Sequence, residues 1–190
     1  MKLNSFLWPL AAAVLTATAL PVAAQQKVVP AQSSVGFVFK QMGVPVEGHF
    51  KKFDAQINFD AAKLATSKVS FTVDIASATL GTPEVDAELP KADWFNTAKF
   101  PQATFASSGF KALGNGKYEV AGKLSVKGQS RDVVVPVTMT QAGAVTTATG
   151  AFPIKRLAFK IGEGDWSDTS MVADDVQVKF KLALSGVGKI

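Results

Sequence analysis

The chain has 190 residues, no cysteine, one histidine, and 20 Lys+Arg against 15 Asp+Glu, a formal net charge of +5. Without cysteine there is no disulfide, no thiol nucleophile and no cysteine-ligated zinc or iron–sulfur centre. The lysines are scattered singly instead of forming a stripe, which argues against nucleic acid as a partner and leaves a mild attraction to anionic membrane surfaces or ligands.

The first segment, "MKLNSFLWPLAAAVLTATALPVAAQQ", carries Lys2, an uncharged apolar run from Phe6 to about Leu20, and small residues at Val22, Ala23 and Ala24. That is the pattern of a secretory signal peptide. An uncleaved anchor is the alternative, but Pro9 and Pro21 flank the run and no basic stop-transfer cluster follows. Residues 1–24 are therefore expected to be a signal peptide and residues 25–190 a single exported domain. Cleavage would leave 190 − 24 = 166 residues with 19 Lys+Arg against 15 Asp+Glu, a formal +4. A chain of that size buries roughly 70% of its unfolded surface and needs no covalent staples.

From Ser34 onward the dominant period is two, the mark of half-buried strands. Val35, Phe37 and Phe39 share a face, and Val44, Val46, Gly48 and Phe50 continue it after a turn at Met42–Gly43. At Lys51–Lys52 the phase slips to Phe53, Ala55, Ile57 and Phe59, which predicts a bulge or bend. Asp60 in "FDAAKLATS" is placed to cap a helical turn. Val69, Phe71, Val73 and Ile75 then alternate with polar residues.

"TPEVDAELPKADWFN" reads as a short helix with Thr82 as cap and Pro83 in its first turn, ended by Pro90. The aromatic stretch from Trp94 through Phe95, Phe100 and Phe105 to Phe110 follows this lid. Strands are predicted next over Tyr118–Val126 and Val133–Met139, joined by the turn "KGQS". Pro136 suggests an edge or bulge position, and such an edge permits a homodimer without requiring one. A less regular stretch from Thr146 to Ile161 and a strand over Val176–Leu184 complete the chain. The expected fold is all-β, an antiparallel barrel of about eight strands with one or two short helices capping it.

Catalytic groups are sparse. By phase His49 points outward, and with no second histidine or cysteine a zinc site would need an unusual ligand set. Asp174 and Asp175 are neighbours on a strand and point to opposite faces. Asp165 and Asp168 in "GEGDWSDTS" lack EF-hand spacing, so a polar loop with one tryptophan is the simpler reading. There is no G-x-S-x-G, P-loop or dinucleotide fingerprint. No catalytic residue, metal or cofactor is assigned, and the chain is read as a non-enzyme.

The succession "SSVGFVFKQMGVPVEGHFKKFDAQINFD", "ADWFNTAKFPQATFASS", "GKLSVKGQSRDVVVPV" and "VADDVQVKFKLAL" resembles the YceI-like family of bacterial lipid-binding proteins. The resemblance runs from about Ser33 to Leu184 in the same order. It implies a lipocalin-like barrel in the periplasm whose elongated apolar tunnel holds isoprenoid or other long-chain amphiphilic lipids. Where many members carry a histidine after the first strand, this chain has Gln41. The family's inward aromatic positions fall on Phe37, Phe39, Phe59, Phe71, Trp94, Phe95 and Phe105. Val73 and Met139 join them as candidate ligand-binding residues, with Lys91, Lys155 and Arg156 as a polar mouth beside the lipid head. Two other readings remain: an enzyme acting on such a lipid, and a solid-cored module that partners a membrane redox protein.

Overall fold

The computed structural model describes residues 25–190, so the expected signal peptide lies outside the described residues. Eleven strands form one antiparallel sheet. They are β1 (Lys27–Val28), β2 (Ser34–Gln41), β3 (Val44–Phe50), β4 (Phe53–Asn58), β5 (Lys68–Asp74), β6 (Ala78–Thr79), β7 (Gln102–Gly114), β8 (Lys117–Val126), β9 (Gln129–Ala142), β10 (Val145–Lys155) and β11 (Val172–Ser185). Two of them have only two residues, so the expectation of about eight strands describes the long ones. Three hairpins turn on residue pairs with both φ values positive: Met42–Gly43, Asn115–Gly116 and Lys127–Gly128. Such turns match the twist of paired strands.

The sheet order is β4-β5-β7-β8-β9-β10-β11-β2-β3-β6, with β1 paired to β11. The sheet curls into a barrel, but no ladder joins β4 to β3. The bulge expected at Lys51–Lys52 is instead the corner where the chain leaves one end of the sheet and begins the other. There Lys51 N–H donates to Ser77 O at 3.1 Å and Lys52 N–H to Ser77 Oγ at 3.0 Å. At the far end of β4 the Gln26 amide pairs with both backbone groups of Phe59, each at 2.8 Å. Hydrogen bonds outside the strand ladders, most of them from side chains, thus fasten a seam that strand pairing leaves open.

Alternation breaks between Phe105 and Phe110 for a local reason. Register shifts between Ser107 and Gly109, so Phe105 and Phe110 face the same interior although their numbers differ in parity. Pro136 sits where β9 and β10 part, since their ladder ends at Val137–Gly150 and β10 continues against β11 alone. The missing N–H therefore costs no ladder bond.

The helical expectations shrink. α1 (Pro83–Asp86) is one turn long and ends four residues before Pro90; Thr82 holds the cap position without a side-chain capping bond. Successive turns replace the longer helix, with Lys91 N–H on Glu88 O and Phe95 N–H on Leu89 O. Asp60 accepts from Ala62 N–H at 2.9 Å in a local turn, and the helical turn itself lies later, at Leu64–Thr66. Among the described residues no helix is long and apolar enough to cross a membrane.

Candidate functional site

Inward residues of nearly every long strand enclose a cavity of about 500 Å³. A barrel of this kind is either filled by its side chains or holds one small ligand, and here the interior is open. One end is closed by packing of Phe59, Tyr118, Met139, Leu184 and Val187. There the ring of Tyr118 stands edge-on to Phe59, with centroids 5.3 Å apart. The other end is covered by the segment from Leu80 to Phe95, together with Trp166.

Phe37, Phe39, Phe59, Phe71, Val73, Trp94, Phe95, Phe105 and Met139 all lie on the wall of this one cavity. Phe37 packs on Phe39 and Phe50 at centroid distances of 6.3 and 5.3 Å, while Phe71 stacks on Phe53 at 5.8 Å. Trp94 and Trp166 meet at 5.3 Å under the lid. The wall includes only a handful of polar residues, among them Gln41, Glu84, Glu88 and Thr104.

The expected basic mouth is not built. Arg156 is 2% exposed. Its guanidinium donates to the carbonyls of Ala173, Ile161, Gly162, Trp166 and Val172 at 2.7–3.2 Å. Burial lowers its pKa, and the Asp174 carboxylate nearby opposes that shift. A guanidinium whose donors are spent on backbone acceptors is a strut that fixes the loop from Ile161 to Val172. Lys155 pairs with Asp175 at 2.7 Å, and Lys91 with Glu88, both on the surface. The polar residues lining the lid end are Gln41, Glu84, Glu88 and Arg156 itself, whose guanidinium is already engaged by backbone carbonyls. Gln41 thus does reach the cavity, at the place where the family histidine is absent.

Two features were not foreseen from the sequence. Lys127, the first residue of the turn "KGQS", is buried and donates to Ala92 O, Lys160 O and Glu163 Oε2, tying the lid to the barrel. Its acceptors come from segments at least 33 residues away, so no local signal marks it. Trp166, assigned to a polar loop, lines the cavity; one large aromatic in an otherwise polar segment was the available hint. Val44, placed by alternation on the inward face, is 63% exposed because β3 overhangs the barrel end there. His49 is exposed, as its phase requires.

The lid has an electrostatic tie as well. The Thr79 hydroxyl and the Leu80 N–H both donate to the Asp86 carboxylate and hold its pKa below the usual range. The indole N–H of Trp94 is buried with no acceptor among the described residues, a cost on the order of 1–3 kcal/mol.

Known proteins share both sequence and fold. Relatives include a UPF0312 protein of Photorhabdus laumondii, 33% identical over 165 residues, covering 81% of this chain and 85% of that one. A Vibrio cholerae relative is 33% identical over 114 residues, and the match spans 60% of its length and 60% of this chain. The structure of Burkholderia cenocepacia BcnA superposes with a TM-score of 0.80 at 50% identity, over 82% of this chain and 98% of that chain. A polyisoprenoid binding domain from Saccharophagus degradans, implicated in plant cell wall breakdown, shares the fold at a TM-score of 0.67 with 15% identity, over 85% and 98% of the two chains. The YceI-like domain model matches residues 26–184, which spans every strand from β1 to nearly the end of β11, and the chain belongs to that family.

Proposed function

We propose that this protein encloses an isoprenoid or other long-chain amphiphilic lipid non-covalently and carries, stores or sequesters it in the periplasm, which it reaches through a cleaved signal peptide. The observation that carries this reading is the 500 Å³ cavity with its almost wholly apolar wall. A ligand pocket of a few hundred Å³ with few polar groups selects by shape and apolar contact. Each methylene withdrawn from water is worth about 0.8 kcal/mol. A long tail therefore needs an apolar host in an aqueous compartment, and a wall of Phe, Val and Met resembles a bilayer closely enough for exchange in both directions. The polyisoprenoid-binding name of the Saccharophagus degradans neighbour agrees with this reading.

The absence of a basic mouth refines the cargo. Glu84 and Glu88 lie near the lid end and the one cation of the wall, Arg156, has its donors on backbone carbonyls, so uncharged heads such as a quinone or an alcohol suit it better than anionic ones. The test is to purify the protein without detergent, extract it with organic solvent and analyse the extract by mass spectrometry. A stoichiometric long-chain lipid is expected. An empty extract, together with no uptake of added polyprenol or quinone, would overturn the reading.

A further inference from the structure

The barrel end beneath the lid carries an apolar rim that folding does not explain. Met42, Val44, Val85 and Met171 are all exposed there, Met42 by 75%. Met42, Val44 and Met171 adjoin one another, and Val85 lies on the lid over the same tunnel. Met42 N–H donates to Met171 O at 2.7 Å, Val44 pairs with Gln41, and Gln41 pairs with Val172. Gln41, Val85 and Val172 line the cavity itself.

Met42 is also in the wrong conformation for its residue type. It opens a hairpin turn with φ of 49°, a left-handed value that Asn or Gly adopts at little cost and methionine does not. The Asn115–Gly116 hairpin has the residue that folding favours, with φ of 51° at Asn115. A side chain that is strained and exposed contributes nothing to the folded state on either count.

We infer that this rim is a membrane foot: Met42, Val44, Val85 and Met171 insert into the interface of a lipid bilayer and seat the tunnel mouth on it. Cargo then passes between bilayer and tunnel without crossing water. The bilayer is the occupant because the rim is continuous with an apolar tunnel, and unbranched methionines adapt to a fluid acyl boundary. Charge points the same way. Glu84 and Glu88 line the tunnel here, Asp168 bonds to Val172 through its backbone carbonyl, Lys40 precedes Gln41 and Lys91 is paired with Glu88, so the charges are mixed and no basic stripe draws this end to anionic heads. Attachment is apolar and only weakly dependent on salt. The inference rests on the carrier reading for its purpose, but vesicle attachment tests it separately.

The experiment compares the wild type with the double variant Met42→Asn/Val44→Thr and with the control Leu113→Thr. Leu113 is likewise an exposed large apolar side chain, 51% accessible, beside the Asn115–Gly116 hairpin and away from the rim. Attachment is read by co-sedimentation with phosphatidylcholine vesicles, at low and high salt. Uptake of radiolabelled polyprenol is measured from those vesicles and, separately, from ethanol dilution. Because Asn suits the left-handed position, the double variant should melt no lower than the wild type.

The expected result is loss of vesicle attachment and of the uptake rate from vesicles by about tenfold or more, with uptake from ethanol unchanged and the control like the wild type. Equal attachment and equal vesicle uptake in the double variant would overturn the foot while leaving the carrier reading intact. If no form takes up polyprenol by either route, the carrier reading falls, and wild-type attachment that the double variant lacks still supports the foot. A wild type that is dimeric and does not attach, beside a monomeric double variant, would show the rim covering a second copy and overturn it.

Discussion

Phe37 and Gly48 face each other across the β2–β3 ladder, and the ring of Phe37 occupies the space that a Cβ on residue 48 would need. The same arrangement recurs where Phe180 covers its ladder partner Gly150, and Phe105 lies diagonally over Gly122, two residues from its own partner Leu124. A missing side chain lets an inward ring lie flat against the wall instead of projecting across the lumen. The cavity stays open because three of its aromatics are folded back onto glycine.

Gly48→Ala should therefore push the Phe37 ring toward the lumen. Overpacking of this kind costs about 1–3 kcal/mol, and the displaced ring occupies volume the ligand would use. Urea unfolding and a polyprenol titration should both register the change. Unchanged stability with unchanged binding would show that the ring is free to move aside.

Val178→Trp tests the lumen from another side. Val178 is partly buried on β11, pairs with Phe37 and lines the cavity. A larger side chain there projects into open space, so ligand capacity should fall at least tenfold while the melting temperature changes little. Lys179→Gln, one residue on and facing outward, should leave both as they were. A barrel that binds as well with the tryptophan would place the ligand elsewhere.

Arg156→Met should be among the most damaging single changes. It strands carbonyls of Ile161, Gly162, Trp166 and Val172 that the guanidinium now satisfies. Each buried acceptor left unpaired costs about 1–3 kcal/mol where water cannot replace the donor. A total loss of about 3–5 kcal/mol is expected from equilibrium unfolding, with Arg156→Lys nearly as harmful because an ammonium cannot form the planar fork. A loss below about 1 kcal/mol would show that water takes over the contacts.

The lid should loosen in acid. Asp86 is held below the usual carboxylate range by Thr79 and Leu80, so its charged form favours the folded lid. That contribution is complete above the unfolded value of about 3.9. It is lost as pH falls through the lowered value. Hydrogen exchange over residues 80–86, corrected for the intrinsic rate, should rise below about pH 4. Asp86→Asn should show no such step, and an identical acid response in that variant would assign the effect to another group.

Alternation along the chain determined the strands, and with them which faces of Phe37, Phe71, Val73 and Met139 turn inward. Period two is a local property, and burial on one face of a sheet is its direct consequence. The turns at Gly43 and Gly128 were legible for the same reason, since left-handed φ values there are a demand of the turn itself. What the chain does at Lys51–Lys52 was not legible, because alternation continues on both sides of a corner and says nothing about partners. Only the assembled sheet shows that β3 and β4 stand at opposite ends of the strand order. The burial of Arg156 and Lys127 also belongs to the tertiary structure: apart from the Glu163 carboxylate on Lys127, their acceptors are backbone carbonyls, which carry no residue-type signature and converge only once distant loops pack together. The open tunnel itself depends on rings meeting glycines across strands, a pairing set by register between segments and written in neither segment alone.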